Sequence, residues 1–161
     1  MGFTDFHGDE RKEGIRMESV LSGDNACETA AEAKKRFFVL VSHSLTVEQR
    51  RDIRDSFDNA EIIHAPPEVL NCWSDIPPDL ERLDDFLLPV IRWMESECRP
   101  EDILFIQGEH GATVYCVQRA QSLGLVPVYA TSKRVLTEKR LENGRVETTR
   151  EFCHVRFRFY V

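Results

Sequence analysis

Five consecutive apolar residues, Phe37-Phe38-Val39-Leu40-Val41, interrupt an otherwise polar stretch of chain. Successive strand side chains point to opposite sides of a sheet, so a run without polar alternation predicts a strand buried on both faces. Asp102-Ile103-Leu104-Phe105-Ile106 predicts a second such strand, and Val126 to Ala130 another. Glu61-Ile62-Ile63-His64 predicts a shorter one, stopped by Pro66-Pro67. Helical periodicity fills the gaps between them. Thr46 with Gln49 three residues later has capping-box spacing, and Val47, Ile53 and Phe57 follow along one face. From Pro78 to about Glu97, Leu80, Leu83, Leu87, Val90 and Met94 recur at spacings of three and four, widened by Phe86 and Ile91, which predicts a long amphipathic helix kinked at Pro89. A further helix runs from about Gly111 to Leu123, with Val114, Val117 and Ala120 inward and Gly124 as its stop.

The alternation of strands and helices predicts a Rossmann-like α/β domain, a parallel sheet wrapped by helices. Its last element differs. Val135 to Leu141 and Val146 to Tyr160 read as two strands joined at Asn143-Gly144, a strong two-residue turn signal, so a C-terminal β-hairpin closes the chain. With Asn143 and Gly144 as the loop, paired positions sum to 287 and place Lys133 opposite His154 and Thr137 opposite Arg150. Lys133, Arg150 and His154 would then share a surface, with Val155, Phe157 and Phe159 on the packed side, provided no bulge interrupts the second strand. Met1 to Lys35 is polar and lacks apolar periodicity, so it reads as an extension with at most a short helix over Cys27 to Lys35, and residues 36 to 161 form the domain.

Length and composition narrow the class. At 161 residues and 42% hydrophobic content the chain supports one core and is short for two. The odd number of cysteines, Cys27, Cys72, Cys98, Cys116 and Cys153, shows no C-x-x-C pair or zinc pattern and reads as reduced thiols of a cytosolic protein. No apolar segment reaches the length of a membrane span, and Met1 to Lys12 is charged where a signal peptide is apolar. A net charge of −7 disfavours binding to a long nucleic acid. The charge is unevenly spread: Phe37 to Ala130 carries 7 basic and 16 acidic residues, whereas Thr131 to Val161 carries 8 basic and 4 acidic. A positive potential confined to one end suits a small polyanion, or is the solvated face of a hairpin.

Ligands of open parallel sheets sit at the carboxyl ends of the strands, where loops diverge. Those ends are Ser42-His43-Ser44, His64-Ala65, Gln107-Gly108-Glu109-His110-Gly111 and Thr131-Ser132-Lys133-Arg134. Gly108 and Gly111 permit close backbone approach or simply a tight turn, and free N–H groups near Gly111, Ala112 and Thr113 would receive a phosphate or ribose. The spacing is neither a dinucleotide fingerprint nor a Walker loop. His43 leaves a buried strand at this edge and is the best general acid or base near neutral pH, or else a satisfied loop histidine. Trp73, beside Ser74, reads as core, or as a surface on which a base stacks. Cys116 reads as packing inside its helix, and no metal site is expected.

Several blocks together resemble a small CRISPR-associated accessory family of type III systems: Phe38 to Ser44, Trp73 to Leu80, Gln107-Gly108 with Gly111-Ala112-Thr113, Val128 to Arg134, Thr148-Thr149-Arg150, and His154 to Arg158. The resemblance covers nearly all of Phe37 to Tyr160. It implies a Rossmann-type homodimer of prokaryotic cytoplasm and a ring nuclease that cleaves cyclic oligoadenylate, with cyclic tetra-adenylate as first choice from two-fold symmetry. Such a ring carries a 2′-hydroxyl beside every phosphate, so cleavage to a 2′,3′-cyclic phosphate needs alignment, charge stabilisation and proton transfer without cofactor or metal. The expected roles are Lys133 and Arg134 on the phosphate and His43 in proton exchange. Ser42, Trp73, Ser74, Gln107, Gly108, Gly111, Ala112, Thr113, Thr131 and Ser132 would hold the ring, with Arg150 and His154 closing over it. A noncatalytic cyclic-oligoadenylate sensor and a generic nucleotide-binding domain draw on the same edge.

Overall fold

The computed structural model describes residues 34–140 and 146–161. The expected extension before Lys35 and the Asn143-Gly144 turn lie outside the described residues, except for Lys34 and Lys35. The elements are β1 (Arg36–Val41), α1 (Val47–Ser56), β2 (Glu61–His64), α2 (Pro67–Ser74), α3 (Leu88–Glu97), β3 (Ile103–Gln107), α4 (His110–Ser122), β4 (Val126–Arg140) and β5 (Val146–Phe159). They form a mixed α/β domain whose single sheet has the order β2-β1-β3-β4-β5. The first four strands are parallel and β5 runs antiparallel to β4. No helix among the described residues is long and apolar enough to cross a membrane.

The apolar runs form central strands because both of their faces are covered. Phe38 and Leu40 of β1 and Leu104 and Ile106 of β3 pack with Val69, Trp73, Val90, Trp93, Met94, Ala112 and Cys116 from α2, α3 and α4. The alternate residues Phe37, Val39, Val41, Ile103 and Phe105 pack on the other face with Ile53 of α1, Phe57, Val128 and Phe157. The Thr46 capping box is present: the Gln49 N–H donates to Thr46 Oγ1 at 3.2 Å, and the Thr46 N–H donates to Gln49 Oε1 at 2.9 Å. Gly124 takes φ +75° after α4, as its stop position requires. Cys116 is fully buried.

Three expectations are corrected. The helix expected from Pro78 begins only at Leu88, so Pro89 sits in its first turn, where a missing N–H costs nothing. Farther in, the ring would clash with the carbonyl four residues back, so the Leu80, Leu83 and Leu87 spacing is carried by turns instead. Pro67, expected only to stop a strand, opens α2. Val114 is exposed, and Ala112 and Cys116 take the inward positions of α4.

The hairpin register also differs from the expected one. Lys133 pairs with Cys153, Ser132 with His154 and Leu136 with Arg150, whereas Thr131 pairs with Arg156 and Ala130 with Phe157. The shift lies between Thr131 and Ser132, where Val155 is the extra residue of a bulge. One residue of slip reverses facing, so Lys133 lies on the side opposite His154 and Arg150. Across the bulge His154 and Phe157 come to one side, with ring centroids 4.9 Å apart. The sheet curls about α1 until Phe157 of β5 reaches Phe37 of β1, across the two strands between them, at 5.3 Å between centroids.

Asp52 of α1 fastens this curl. Its Oδ2 accepts the Phe157 N–H at 2.9 Å and the His154 Nε2–H at 2.8 Å, and its Oδ1 accepts the Ser56 hydroxyl at 2.6 Å. Burial pulls the Asp52 carboxyl upward, but the hydrogen bonds from Ser56, His154 and Phe157 outweigh it and hold the group below the usual aspartate range. Asp52→Ala leaves two buried donors unpaired and is expected to cost about 2–4 kcal/mol in urea unfolding. Because the folded value is depressed, the contribution is complete above the unfolded carboxyl range and fades as pH falls through the folded value. The stability difference between wild type and variant should therefore shrink towards acid pH; a constant difference would assign the effect to packing alone.

Candidate functional site

At the carboxyl edge of the sheet, β1 passes to α1 on one face while β3 passes to α4 on the other. A cleft of about 340 Å³ opens beside β1, lined by Val41, Ser42, His43 and Ser44 from its exit, Arg50 from α1, His64 from the end of β2, and Leu70 and Ser74 from α2. No carboxylate of the described residues lines it, although the surrounding body from Phe37 to Ala130 carries 16 acidic residues. One guanidinium, two imidazoles and three hydroxyls, with no competing anion among the described residues, make a setting for a phosphate.

The two histidines are differently held. The His43 Nδ1–H donates to the Ser44 carbonyl at 3.0 Å; a carbonyl only accepts, so Nδ1 carries the proton and Nε2 is left for exchange. His64 is held below the ordinary histidine range, first by partial desolvation and then by the charge of Arg50. It is therefore largely neutral at neutral pH and able to accept a proton.

The glycine loop has a different role from the one its composition suggests. Trp73 is buried, with 2% of its surface exposed; its Nε1–H donates to the Gln107 carbonyl at 3.3 Å. Its ring lies so close to Gly108 that an added Cβ would meet Nε1 at 2.7 Å. The indole thus backs the loop and has no face free for a base. The first N–H groups of α4 are occupied as well. Glu109, the N-cap, accepts from Gly111 at 3.0 Å and from Ala112 at 2.7 Å, and its carbonyl takes the Thr113 N–H at 2.9 Å. Those contacts, Ala112 first and then Gly111, hold the Glu109 carboxyl below the usual range. A phosphate at this helix end would have to displace a carboxylate. The Thr113 hydroxyl is buried and has no hydrogen-bond partner among the described residues. On its outer side Glu109 borders a recess of about 370 Å³ whose walls are Ile76, Pro77, Pro78, Leu80, Glu81 and Leu83.

The hairpin residues stand apart from the cleft. The Gln107 side chain accepts the Ala130 N–H at 3.3 Å, which ties the β3 exit to β4, and the Thr131 hydroxyl donates to the Arg156 carbonyl across the hairpin. Lys133 lies three residues beyond Ala130, about 10 Å farther along the strand. Lys133 and Arg134 are exposed, project to opposite faces, and are not among the residues lining the His43 cleft. Arg134 lies over the Phe152 ring at 5.4 Å. Ser132 and Arg150 are exposed on the α1 side, and His154 is engaged by Asp52. Sequence reasoning brought Ser42, His43 and Ser74 to one place, and missed Arg50 and His64 as partners. His64 had a signal, since it ends a strand at the ligand edge. Arg50 had none, being one of several exposed charged positions on its helix. Among the described residues no group of three or more His, Cys, Asp or Glu side chains is placed to hold a metal ion.

Gly108→Ala drives a methyl into the Trp73 ring and is expected to lower stability by about 1–3 kcal/mol. In the Trp73→Leu background the same change should cost at least about 1 kcal/mol less, because the clashing atoms are gone. Additive losses in a thermal double-mutant cycle would rule out the indole as the cause.

The comparisons with known proteins concern this same domain. The family model described as "Uncharacterized protein MJ1673 family" matches residues 35–158. A relative from Methanocaldococcus jannaschii, "Uncharacterized protein MJ1673", is 38% identical over 125 residues, covering 78% of this chain and 96% of the relative. No solved structure matches the chain. With the match spanning every described helix and strand except the last residue of β5, and the cleft itself, the chain belongs to the MJ1673 family.

Proposed function

We propose that this protein is a Rossmann-like ring nuclease of type III CRISPR signalling, which binds cyclic oligoadenylate at the β1 edge and opens it through the ring's own 2′-hydroxyl. One observation carries the reading: among the described residues an acidic domain lines a cleft at its strand ends with Arg50, His43, His64 and three serines and with no carboxylate. That lining suits a phosphodiester in both charge and proton chemistry. Ser42 and Ser44 orient the phosphate oxygens, and His43 exchanges protons through Nε2. The apolar recess between Ile76 and Leu83 receives an adenine, with Glu109 at its rim to accept from the exocyclic amine. Lys133, with Arg156 and Arg158 on the same face of the hairpin, supplies positive charge to the remaining phosphates. A two-fold homodimer would present paired clefts to a ring such as cyclic tetra-adenylate.

Purified protein incubated with cyclic tri-, tetra- or hexa-adenylate in EDTA should yield linear products ending in a 2′,3′-cyclic phosphate from at least one ring. Intact rings throughout would sink the nuclease reading, and tight calorimetric binding of an intact ring would make the protein a sensor instead. Lys133→Ala should weaken binding of the ring by about ten-fold, because that lysine stands outside the cleft and faces phosphates other than the reacting one. An unchanged Kd would remove that lysine from the site.

A further inference from the structure

Cleaving an RNA phosphodiester by its neighbouring hydroxyl takes two proton transfers, one from the nucleophile and one to the leaving group. A single histidine performs both only by changing position or protonation between them. This cleft has two imidazoles, from different elements: His43 on the β1 exit and His64 at the end of β2, with Arg50 of α1 lining the same space. We infer that His64 and His43 are a complementary base and acid pair, and that Arg50 holds the phosphate between them. The inference rests on the ring-nuclease reading and adds to it two residues, His64 and Arg50, and a division of labour.

Their surroundings decide which histidine does which. The charged or titratable side chains that share the cleft with His64 are Arg50 from α1 and His43 from the β1 exit; α2 contributes only Ser74 and Leu70. Partial burial first and the charge of Arg50 second hold His64 below the ordinary histidine range, and within the cleft it faces no carboxylate of the described residues, so it is the group that accepts a proton. His43 donates its Nδ1–H to the Ser44 carbonyl, an arrangement that also suits the imidazolium, whose Nε2–H is then free to donate. In the step itself, His64 takes the proton of the 2′-hydroxyl as that oxygen bonds to phosphorus. The bond from phosphorus to the 5′ oxygen breaks, and His43 delivers its proton to that oxygen. The products are a 2′,3′-cyclic phosphate and a 5′-hydroxyl, and water restores both imidazoles to their starting forms. Arg50 faces the non-bridging oxygens, whose charge develops in the transition state.

All three side chains are exposed, so their replacement leaves the core intact. The test uses the full chain and the adenylate ring that the wild-type protein cleaves. Intact rings with wild-type protein would overturn the nuclease reading itself, before any question about His64 arises. Given turnover, His64→Gln should lower kcat by about 100-fold or more while the Kd for a 2′-O-methyl ring changes less than about three-fold. The variant should also lose the limb of the rate profile that rises with pH. Arg50→Gln should move that limb to higher pH, because removing a neighbouring positive charge raises the pKa of His64. A ring with sulfur in place of one bridging 5′ oxygen carries a leaving group that needs no acid. On it, His43→Gln should recover to within about ten-fold of wild type, and His64→Gln should not. Unchanged kcat in His64→Gln, a retained rising limb, or recovery of His64→Gln in place of His43→Gln would each overturn the assignment.

Discussion

The structure depends on keeping β1 and β3 dry on both faces. Phe37 to Val41 and Ile103 to Ile106 are buried without exception. A parallel pair so apolar is stable only if chain crosses over it on each side, and the crossovers here use α1 for one face and α2, α3 and α4 for the other. That requirement drives the loops after β1 and β3 apart at the carboxyl edge. The cleft lies on the β2 side of this edge, between the β1 exit, α1, the end of β2 and α2, and its chemistry comes from Ser42, His43, Ser44, Arg50, His64 and Ser74.

Helix α1 has two duties that meet within three residues. Arg50 lines the cleft, and Asp52 binds the bulged strand β5 through Phe157 and His154. The bulge at Val155 disrupts the hairpin ladder, and the Asp52 carboxylate receives the N–H that β5 then directs at the helix. Curl of the sheet and placement of the arginine are therefore set by one rigid element, capped at its start by Thr46 and Gln49. A change that loosens the clasp is felt at the cleft through the helix, without any contact between the two.

Charge is separated with similar economy. The domain body is acidic, yet no carboxylate of the described residues lines the cleft, and Glu109 in the loop after β3 is held by the first N–H groups of α4. The end of α4 is thereby satisfied from within the chain, and the anion-attracting surface is concentrated at β1 and on the hairpin. Trp73 holds the intervening loop by contact with Gly108, so a residue suited to stacking on a ligand is used to shape the wall instead.

Val126 to Ala130 and the run from Val135, read as separate strands, belong to the one strand β4, and α2 was not predicted at all. By itself the sequence determined the places of the four parallel strands, the capped first helix, the crossover order and the edge at which a ligand site would lie. These follow from local signals: apolar runs, capping-box spacing, glycine stops and the alternation of elements. His43, Ser42 and Ser74 were legible for the same reason, since position in an element already implies an edge. Other features depended on contacts distant in sequence. The start of α3 was decided by Pro89, whose effect depends on whether the preceding leucines have a helix to join. The hairpin register turned on a bulge that no residue type announces, and it reversed the facing of Lys133 against His154. Arg50 and His64 became neighbours only when α1 and β2 packed on either side of β1. Tertiary structure decides such pairings because they are set by how faces are buried, whereas a sequence pattern reports only which faces need burial.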